Sequence, residues 1–180
     1  MSDFGKVIAC LKELGLKNLS IDNFQDKLVI QKVIYLLQLK GVKTGFSYDL
    51  YVRGPYSSDL TNELYQHKRE LELLKTDTLL TQKELADVHE MKELFEPIKP
   101  SILEVAATYA YFAYVKHQDP ITATKNVRRI KGFYPESQIA IGISRAKQFL
   151  FKPTEKELEE MKKEHEPLER ASLQDMKDWS

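Results

Sequence analysis

The sequence predicts a mainly α fold, with a single helical domain and a small two-stranded β element. Three observations favour this fold. Several segments with apolar residues at helical spacing begin at residues that cap helices well. Patterns typical of strands are few and short. Residues 28–38 contain so few polar side chains that, as a helix, they must be surrounded by the rest of the domain.

Composition limits the class of protein. The 180 residues, 42% of them hydrophobic, can form one core, which we expect over residues 1–152. Cys10 is the single cysteine, which excludes an intramolecular disulfide and fits a cytoplasmic location. The N-terminus lacks the basic start and apolar stretch of a secretion signal, and the longest apolar run, residues 102–115, is shorter than the roughly 20 residues of a membrane span.

The net charge of zero is unevenly distributed. Residues 153–180 carry nine acidic and five basic side chains, a net charge of −4, so residues 1–152 carry +4. We expect 153–180 to form a charged C-terminal helix or tail. A mildly basic body with an acidic end permits nucleic acid as a partner without requiring it.

Capping residues mark the helix starts. In a capping box, the first side chain accepts a hydrogen bond from a free backbone amide, and the side chain three residues later reaches back. A carboxylate before a proline marks a start equally well. The expected helices are 23–39 opened by Asp22 and Gln25, about 58–70 capped by Ser57, 82–95 opened by Thr81 and Glu84, a buried helix within 102–115, one after Asp119-Pro120, one from Pro135 with Ile139, Ile143, Ala146 and Leu150 on one face, and one opened by Thr154 and Glu157.

Strand patterns occur at two places. Residues 46–52 alternate aromatic and polar side chains after two glycines, and residues 76–80 are a candidate partner strand. With the helix between them, the order helix, strand, helix, strand is compatible with a winged-helix-like arrangement.

The sequence contains no signature of common catalytic or cofactor sites. Phosphate loops, dinucleotide-binding glycine motifs, paired zinc-binding histidines and nucleophile elbows are all missing. We therefore expect no enzymatic activity, no cofactor and no metal. Asp49, Asp59 and Glu63 form a third and weaker possibility, a magnesium site for phosphodiester cleavage. The simpler interpretation is that Asp59 and Glu63 favour a helix N-terminus.

Arg53 follows a tyrosine-rich strand and precedes a rigid Gly54-Pro55 turn. An arginine on such a platform can bind a carboxylate or phosphate of a partner, or it can pair with Asp49, Asp59 or Glu104 of its own chain. The sequence leaves both open. The candidate partner-binding residues are Arg53, Gly54, Pro55, Tyr56 and Ser57.

Glu104 interrupts the apolar run and requires a partner if buried. Lys32 and Arg53 are candidates, and Gln31 with Gln38, seven residues apart on one helix, could form a polar seam that faces Glu104. We interpret this group as a network inside the core.

A basic segment supports an alternative function. Lys125, Arg128, Arg129 and Lys131 precede Gly132-Phe133-Tyr134, and basic residues beside aromatic ones can contact nucleic acid. The same residues also favour a helix C-terminus. The chain as a whole lacks the strong positive charge usual for such proteins.

Residues 27–38 (KLVIQKVIYLLQ) and 51–60 (YVRGPYSSDL) resemble the Panacea domain family of SocA- and GepA-like proteins, or the related uncharacterised YwgA-like group. The likeness covers about 40 residues and lies in the segment Leu28 to Tyr35 and in Gly54-Pro55. Tyr51-Val52-Arg53 stands where Panacea members usually have a tryptophan before the turn, which favours the YwgA-like side. For the Panacea family, the resemblance implies a mostly helical prokaryotic antitoxin that neutralises a toxin by direct contact, with no enzymatic residue. We therefore expect a non-enzymatic protein-binding module, antitoxin-like or regulatory, with no membrane partner. The alternative is a winged-helix-like nucleic-acid-binding regulator.

Overall fold

The computed structural model describes residues 2–151, together with Lys156, Glu159, Glu160, Lys162 and Lys163, which are helical and exposed. The chain divides into two compact units, Met1–Leu150 and Phe151–Ser180. Apart from those five residues, the expected charged segment 153–180, with its helix start at Thr154 and Glu157, lies outside the described residues.

The first unit is mainly helical with one small sheet, so the predicted fold class is confirmed. Among the described residues, none of the helices combines the length and apolar character that a membrane crossing requires. The elements are α1 (Phe4–Glu13), α2 (Phe24–Lys40), β1 (Asp49–Tyr51), β2 (Gly54–Tyr56), α3 (Ser58–Gln66), α4 (Lys68–Leu73), α5 (Gln82–Phe95), α6 (Pro100–Ala110), a π-helical turn (Tyr111–Val115), α7 (Pro120–Lys131) and α8 (Glu136–Leu150).

Three predicted helix starts are confirmed. Thr81 and Glu84 form a complete capping box, in which each side chain accepts from the other residue's backbone N–H at 3.1 Å. Ser57 caps α3 and Asp119 caps α7, each through its side-chain oxygen. Local hydrogen bonds of this kind depend only on neighbouring residues, which is why the sequence reveals them.

The predicted start of α2 is wrong by one residue. Asn23, not Asp22, is the capping residue, and its side chain accepts from the N–H of Asp26 at 3.1 Å. Asp22 instead forms an ion pair with Lys68, 2.8 Å away. Both residue types cap helices equally well, so the sequence could not decide between adjacent candidates.

The two strands form a tight hairpin. β1 and β2 pair antiparallel, with Tyr51 opposite Gly54, and only Val52 and Arg53 connect them. Residues 76–80 are not the partner strand that we predicted, and Thr76 instead donates from its hydroxyl to the carbonyl of Gly5 at 3.1 Å. Because the strands are consecutive, the helix–strand–helix–strand order expected for a winged helix is not found in the described part of the chain.

Two helices form the centre of the core. Ten consecutive residues of α2, 28–37, are buried, and so are nine of α6, 102–110. This confirms that residues 28–37 are surrounded by the domain. The expected buried helix over 102–115 is confirmed for 102–110, while the π-helical turn that follows leaves Tyr114 and Val115 exposed. Helix α8 packs closely along α6 at Gly142, where an added Cβ atom would lie 2.6 Å from Val105 Cγ1 and 3.1 Å from the carbonyl oxygen of Ile102.

We expect Gly142→Ala to lower the free energy of unfolding by up to about 2 kcal/mol. Overpacking costs about 1–3 kcal/mol and outweighs the better helix propensity of alanine, which is worth up to roughly 1 kcal/mol. Urea unfolding followed by circular dichroism measures the change. Ala140→Ser, which adds one atom on the exposed side of α8, is the control and should stay within about 0.5 kcal/mol. A Gly142→Ala protein more stable than the parent would contradict the close packing of α6 and α8.

Candidate functional site

Two glutamines of α2 hold both ends of the segment that carries the hairpin. Gln31 Nε2 donates to the carbonyl of Ser57 and Gln31 Oε1 accepts from its N–H, both at 2.9 Å. Gln38 binds Phe46 in the same way, at 2.7 and 3.0 Å. Each side-chain amide satisfies both backbone groups of one residue. The expectation that these glutamines face Glu104 is therefore wrong.

The turn lies directly on the core helices. Gly54 has φ +95°, and an added Cβ atom would lie 2.7 Å from Thr108 Oγ1 of α6 and 3.5 Å from Lys32 Nζ of α2. Only glycine accepts both that backbone conformation and that lack of space. The carbonyl of Pro55 accepts a hydrogen bond from Lys32 Nζ at 2.7 Å. The hairpin is thus fixed to α2 and α6 at its turn as well as at its ends.

The five expected partner-binding residues divide into two groups. Gly54, Pro55 and Ser57 are buried, so they position the turn and are covered by the core. Tyr56 is half-buried, and the side chain of Arg53 is 53% exposed. Of the five, Arg53 and Tyr56 are the side chains within reach of a partner.

Glu104 is the buried acid that joins the turn to α6 and α7. Its Oε1 accepts from Lys131 Nζ at 2.7 Å, and its Oε2 accepts from the hydroxyl of Tyr134. Arg53 Nη1 lies 3.8 Å from the same Oε2. Lys131 Nζ also donates to the carbonyl of Val52 at 2.9 Å. One lysine of α7 therefore binds both the carboxylate of α6 and the backbone of the turn.

The main partner of Glu104 differs from the expected one. Arg53 lies at the limit of ion-pair distance, whereas Lys131, a candidate contact in the alternative nucleic-acid function, is fully buried and pairs closely with the carboxylate. A lysine at the end of a basic run carries no sequence signal that it points inward.

Burial, with the hydrogen bond to Glu104 as the next cause, raises the pKa of Tyr134 to about 12, so this hydroxyl remains a donor at neutral pH.

Lys32 is a second buried lysine at the turn. Lys32 is only 2% exposed. Burial lowers the pKa of Lys32 to about 7, the negative charge of Glu104 opposes this shift, and the positive charges of Lys131 and Arg53 add to it. The amine therefore changes its charge near neutral pH.

The turn region contains more positive than negative charge. Lys32, Arg53 and Lys131 are the three basic side chains; Glu104 forms ion pairs with Lys131 and Arg53 and acts on Lys32 through its charge from a greater distance. Within the described residues, no carboxylate other than Glu104 lies at ion-pair distance from Arg53 or Lys131, and none lies at that distance from Lys32. Buried and partly buried charges are stable when paired, so this region favours an incoming anion.

A cavity of about 270 Å³ opens beside Arg53, between α2, the hairpin and α3. Three aromatic rings line it, those of Phe24, Tyr56 and Tyr65, together with Leu28. The guanidinium carbon of Arg53 lies 5.5 Å from the ring centroid of Phe24, within cation–π distance.

The polar lining of this cavity is cationic. Lys27, Lys32 and Arg53 contribute positive charge, Gln31 and Thr61 are neutral, and no carboxylate is among the described lining residues. The sequence singled out Gln31, Lys32, Arg53 and Tyr56, but not Phe24, Thr61 or Tyr65. Phe24 and Tyr65 are distant in the chain, and only the approach of α2 and α3 brings them to one cavity.

The exposed side chains around Arg53 are largely apolar. Phe24, Tyr51 and Phe133 are more than half exposed, and Val52 is 91% exposed. Lys131 connects two of them, because its Nζ binds the carbonyl of Val52 and lies 5.9 Å from the ring centroid of Phe133. We call Phe24, Tyr51, Val52, Arg53 and Phe133 the Arg53 face.

The candidate nucleic-acid residues do not form one surface group. Lys125, Arg128 and Arg129 are exposed, but Arg128 Nη2 forms an ion pair with Glu136 at 2.7 Å. Lys131 is buried, as described above. Two of the four thus remain as exposed cations without an ion pair among the described residues.

The structure does not bring the candidate magnesium ligands together. Asp49 lies exposed on β1, while Asp59 and Glu63 lie on α3. Among the described residues, no group of three or more histidine, cysteine, aspartate or glutamate side chains is arranged to hold a metal ion. The carboxylates on α3 fit the simpler interpretation, that negative charge favours a helix N-terminus.

Comparisons of this chain with models of known families, with curated proteins and with solved structures give no match. The geometry of the turn therefore carries the functional argument. It offers a fixed arginine, a ring of exposed apolar side chains and a cation-lined cavity, which together can bind an anionic group attached to an apolar one.

We expect Glu104→Gln to lower the free energy of unfolding by about 3–5 kcal/mol, because it leaves the fully buried ammonium of Lys131 without a carboxylate. Urea unfolding measures the loss. Glu136→Gln breaks the exposed ion pair with Arg128 and is the matched control, with an expected cost of about 0–1 kcal/mol. Equal costs for the two variants would show that Glu104 does not hold the turn.

Proposed function

We propose that this chain is a non-enzymatic protein-binding module of a prokaryotic cytoplasm, antitoxin-like or regulatory, and that it binds a partner protein through the Arg53 face. One observation carries the proposal: a half-exposed arginine on a fixed turn is surrounded by exposed apolar side chains and adjoins a cavity with three basic side chains and no carboxylate among its described lining residues. The partner that fits presents an acidic side chain among apolar ones.

The composition of the Arg53 face supports protein binding. Arginine and aromatic residues contribute most of the energy at protein interfaces, chiefly where apolar neighbours exclude water. An exposed Val52 next to exposed aromatic rings is unfavourable in water and is covered favourably by a partner. The excess positive charge adds electrostatic complementarity to an acidic partner.

The rigidity of the turn supports it further. Gln31, Gln38 and Lys32 fix the hairpin to α2, and Lys131 fixes the turn to α7. Groups that are already ordered lose little conformational entropy on binding, and this favours affinity.

The antitoxin-like part of the proposal rests on the resemblance to Panacea and YwgA-like proteins. The residues that carry this resemblance touch one another: Gln31 binds Ser57, and Lys32 binds Pro55 of the Gly-Pro turn. These contacts hold the Gly-Pro turn in place, which fits a protein that acts by direct contact with a partner. We propose membership of one of these groups on that basis.

Nucleic-acid binding has weaker support. Of its four candidate residues, one is buried and one is paired with Glu136, which leaves Lys125 and Arg129. Binding to nucleic acid would be recognised by an affinity that falls steeply with salt.

We expect the full-length protein to co-purify with the product of an adjacent gene, and Val52→Asp to weaken that complex at least tenfold. Charge placed at the centre of an apolar contact costs more than about 1.4 kcal/mol, which corresponds to a tenfold loss. Leu79→Asp is the matched control, since Leu79 is 89% exposed and lies outside the Arg53 face. Co-expression with tagged protein identifies the partner, and calorimetry on the purified pair measures affinity.

Three results would contradict the proposal. One is that none of the neighbouring gene products co-purifies and the chain stays monomeric. Another is that Val52→Asp binds as tightly as Leu79→Asp. The last is that the protein binds nucleic acid with a steep salt dependence and ignores the protein candidates.

A further inference from the structure

The cavity beside Arg53 has the size and lining of a site for one side chain and its charged group. Its volume, about 270 Å³, is near the lower limit of ligand pockets. The rings of Phe24, Tyr56 and Tyr65 supply apolar wall, and Lys32 and Arg53 supply cations. Sites with an apolar body and few polar groups fix a ligand by the placement of those groups.

The charges around the cavity leave room for one more anion. Glu104, on α6, is held closely by Lys131 of α7 and by Tyr134, and Arg53 reaches it only at 3.8 Å. The guanidinium of Arg53 therefore has donors free to turn to a ligand, and its five N–H groups match the two oxygens of a carboxylate.

We infer that this cavity binds a carboxylate of the partner protein, which accepts from the guanidinium of Arg53 close to the buried amine of Lys32, while an apolar or aromatic side chain next to that carboxylate packs on Phe24 and Tyr65. The inference rests on the proposed function and specifies the partner's binding element. A carboxylate fits better than a neutral group, since no acid is among the described residues that line the cavity.

Binding of this kind takes up a proton. Three charged groups act on the amine of Lys32: Glu104 on α6, Lys131 on α7 and Arg53 at the turn. Lys27, another lysine that lines the cavity, lies on the same helix as Lys32. In the free protein, burial holds its pKa at about 7. A bound carboxylate favours the charged amine and raises that pKa. Tyr134, with a pKa raised to about 12, does not titrate in the same range.

The direction of the pH dependence follows. Below pH 7 the amine is charged in both free and bound protein, so affinity is constant as long as the ligand stays ionised. Above pH 7 only the bound form keeps the proton, and affinity falls up to about tenfold per pH unit until the raised pKa is reached. Replacing Lys32 with an uncharged residue should abolish this dependence of affinity on pH.

The experiment uses two small probes on the full-length protein: N-acetylphenylalanine, which carries a carboxylate, and N-acetylphenylalanine amide, its neutral isostere. Chemical-shift changes of backbone amides report affinity and location. We expect the carboxylate to bind at least tenfold more tightly than the amide, with shifts at α2, the hairpin and α3. We also expect affinity that is flat between about pH 5.5 and 6.5 and falls above pH 7.

Two variants assign the roles. Lys32→Met should weaken binding of the carboxylate probe at least tenfold and remove the pH slope. Arg53→Gln should weaken binding and keep the slope, which should begin at a higher pH because the charge of Arg53 helps to lower the pKa of Lys32. Lys12→Met, at an exposed lysine of α1, is the matched control and should change neither. If Lys32→Met fails to fold, the pH profiles of the parent and of Arg53→Gln still decide the matter, because Arg53 is half exposed.

Equal binding of carboxylate and amide, affinity independent of pH, or shifts confined to another surface would overturn the inference. A protein partner that binds through the Arg53 face while neither probe binds would refute the carboxylate site and leave the proposed function standing. The reverse result, probe binding without any protein partner, would refute the function and leave an anion site for a free small molecule.

Discussion

The buried carboxylate of Glu104 is the interaction on which this structure depends most. It takes a hydrogen bond from Lys131 and another from Tyr134, and Lys131 in turn binds the backbone of the turn at Val52. Helices α6 and α7 and the hairpin therefore meet at one acid. Two desolvated charges contribute little net stability, but removing either is costly, so the pair fixes the arrangement of these elements.

That arrangement has an electrostatic consequence. Packing α7 against the turn brings Lys131 to Glu104 and leaves Arg53 at the edge of the same carboxylate. Lys32, held by the carbonyl of Pro55, then has no acid at ion-pair distance within the described residues. A fold that buries two lysines around one acid and displays an arginine beside them is prepared for a negative group from outside. The apolar side chains of the Arg53 face give that group a context typical of protein interfaces.

Local patterns of the sequence are the parts that the structure confirms. The capping box of Thr81 and Glu84 depends on residues three apart, and the proline after Asp119 fixes a helix start by its own geometry. The burial of α2 follows from its composition, since an almost wholly apolar helix cannot face water. Mainly α architecture follows from the sum of such signals.

The errors concern contacts between distant parts of the chain. Residues 76–80 have a strand-like composition, but β1 pairs instead with β2, to which the two-residue turn at Val52 and Arg53 connects it. Gln31 and Gln38 share a helix face as expected, but their side-chain amides bind the backbone of Ser57 and Phe46 instead of Glu104. A lysine can extend to the surface or bury its long stem, and only packing decides which.

The charge balance at Lys32 can be measured by titrating this amine in the free protein. The Cε–Hε resonance of Lys32 can be followed against pH in protein with ¹³C-labelled lysines and assigned by its loss in Lys32→Met. The account predicts a midpoint at about pH 7, caused by burial beside two further cations. A midpoint near the ordinary lysine value of about 10.4 would show a solvated or fully paired amine and would contradict the account.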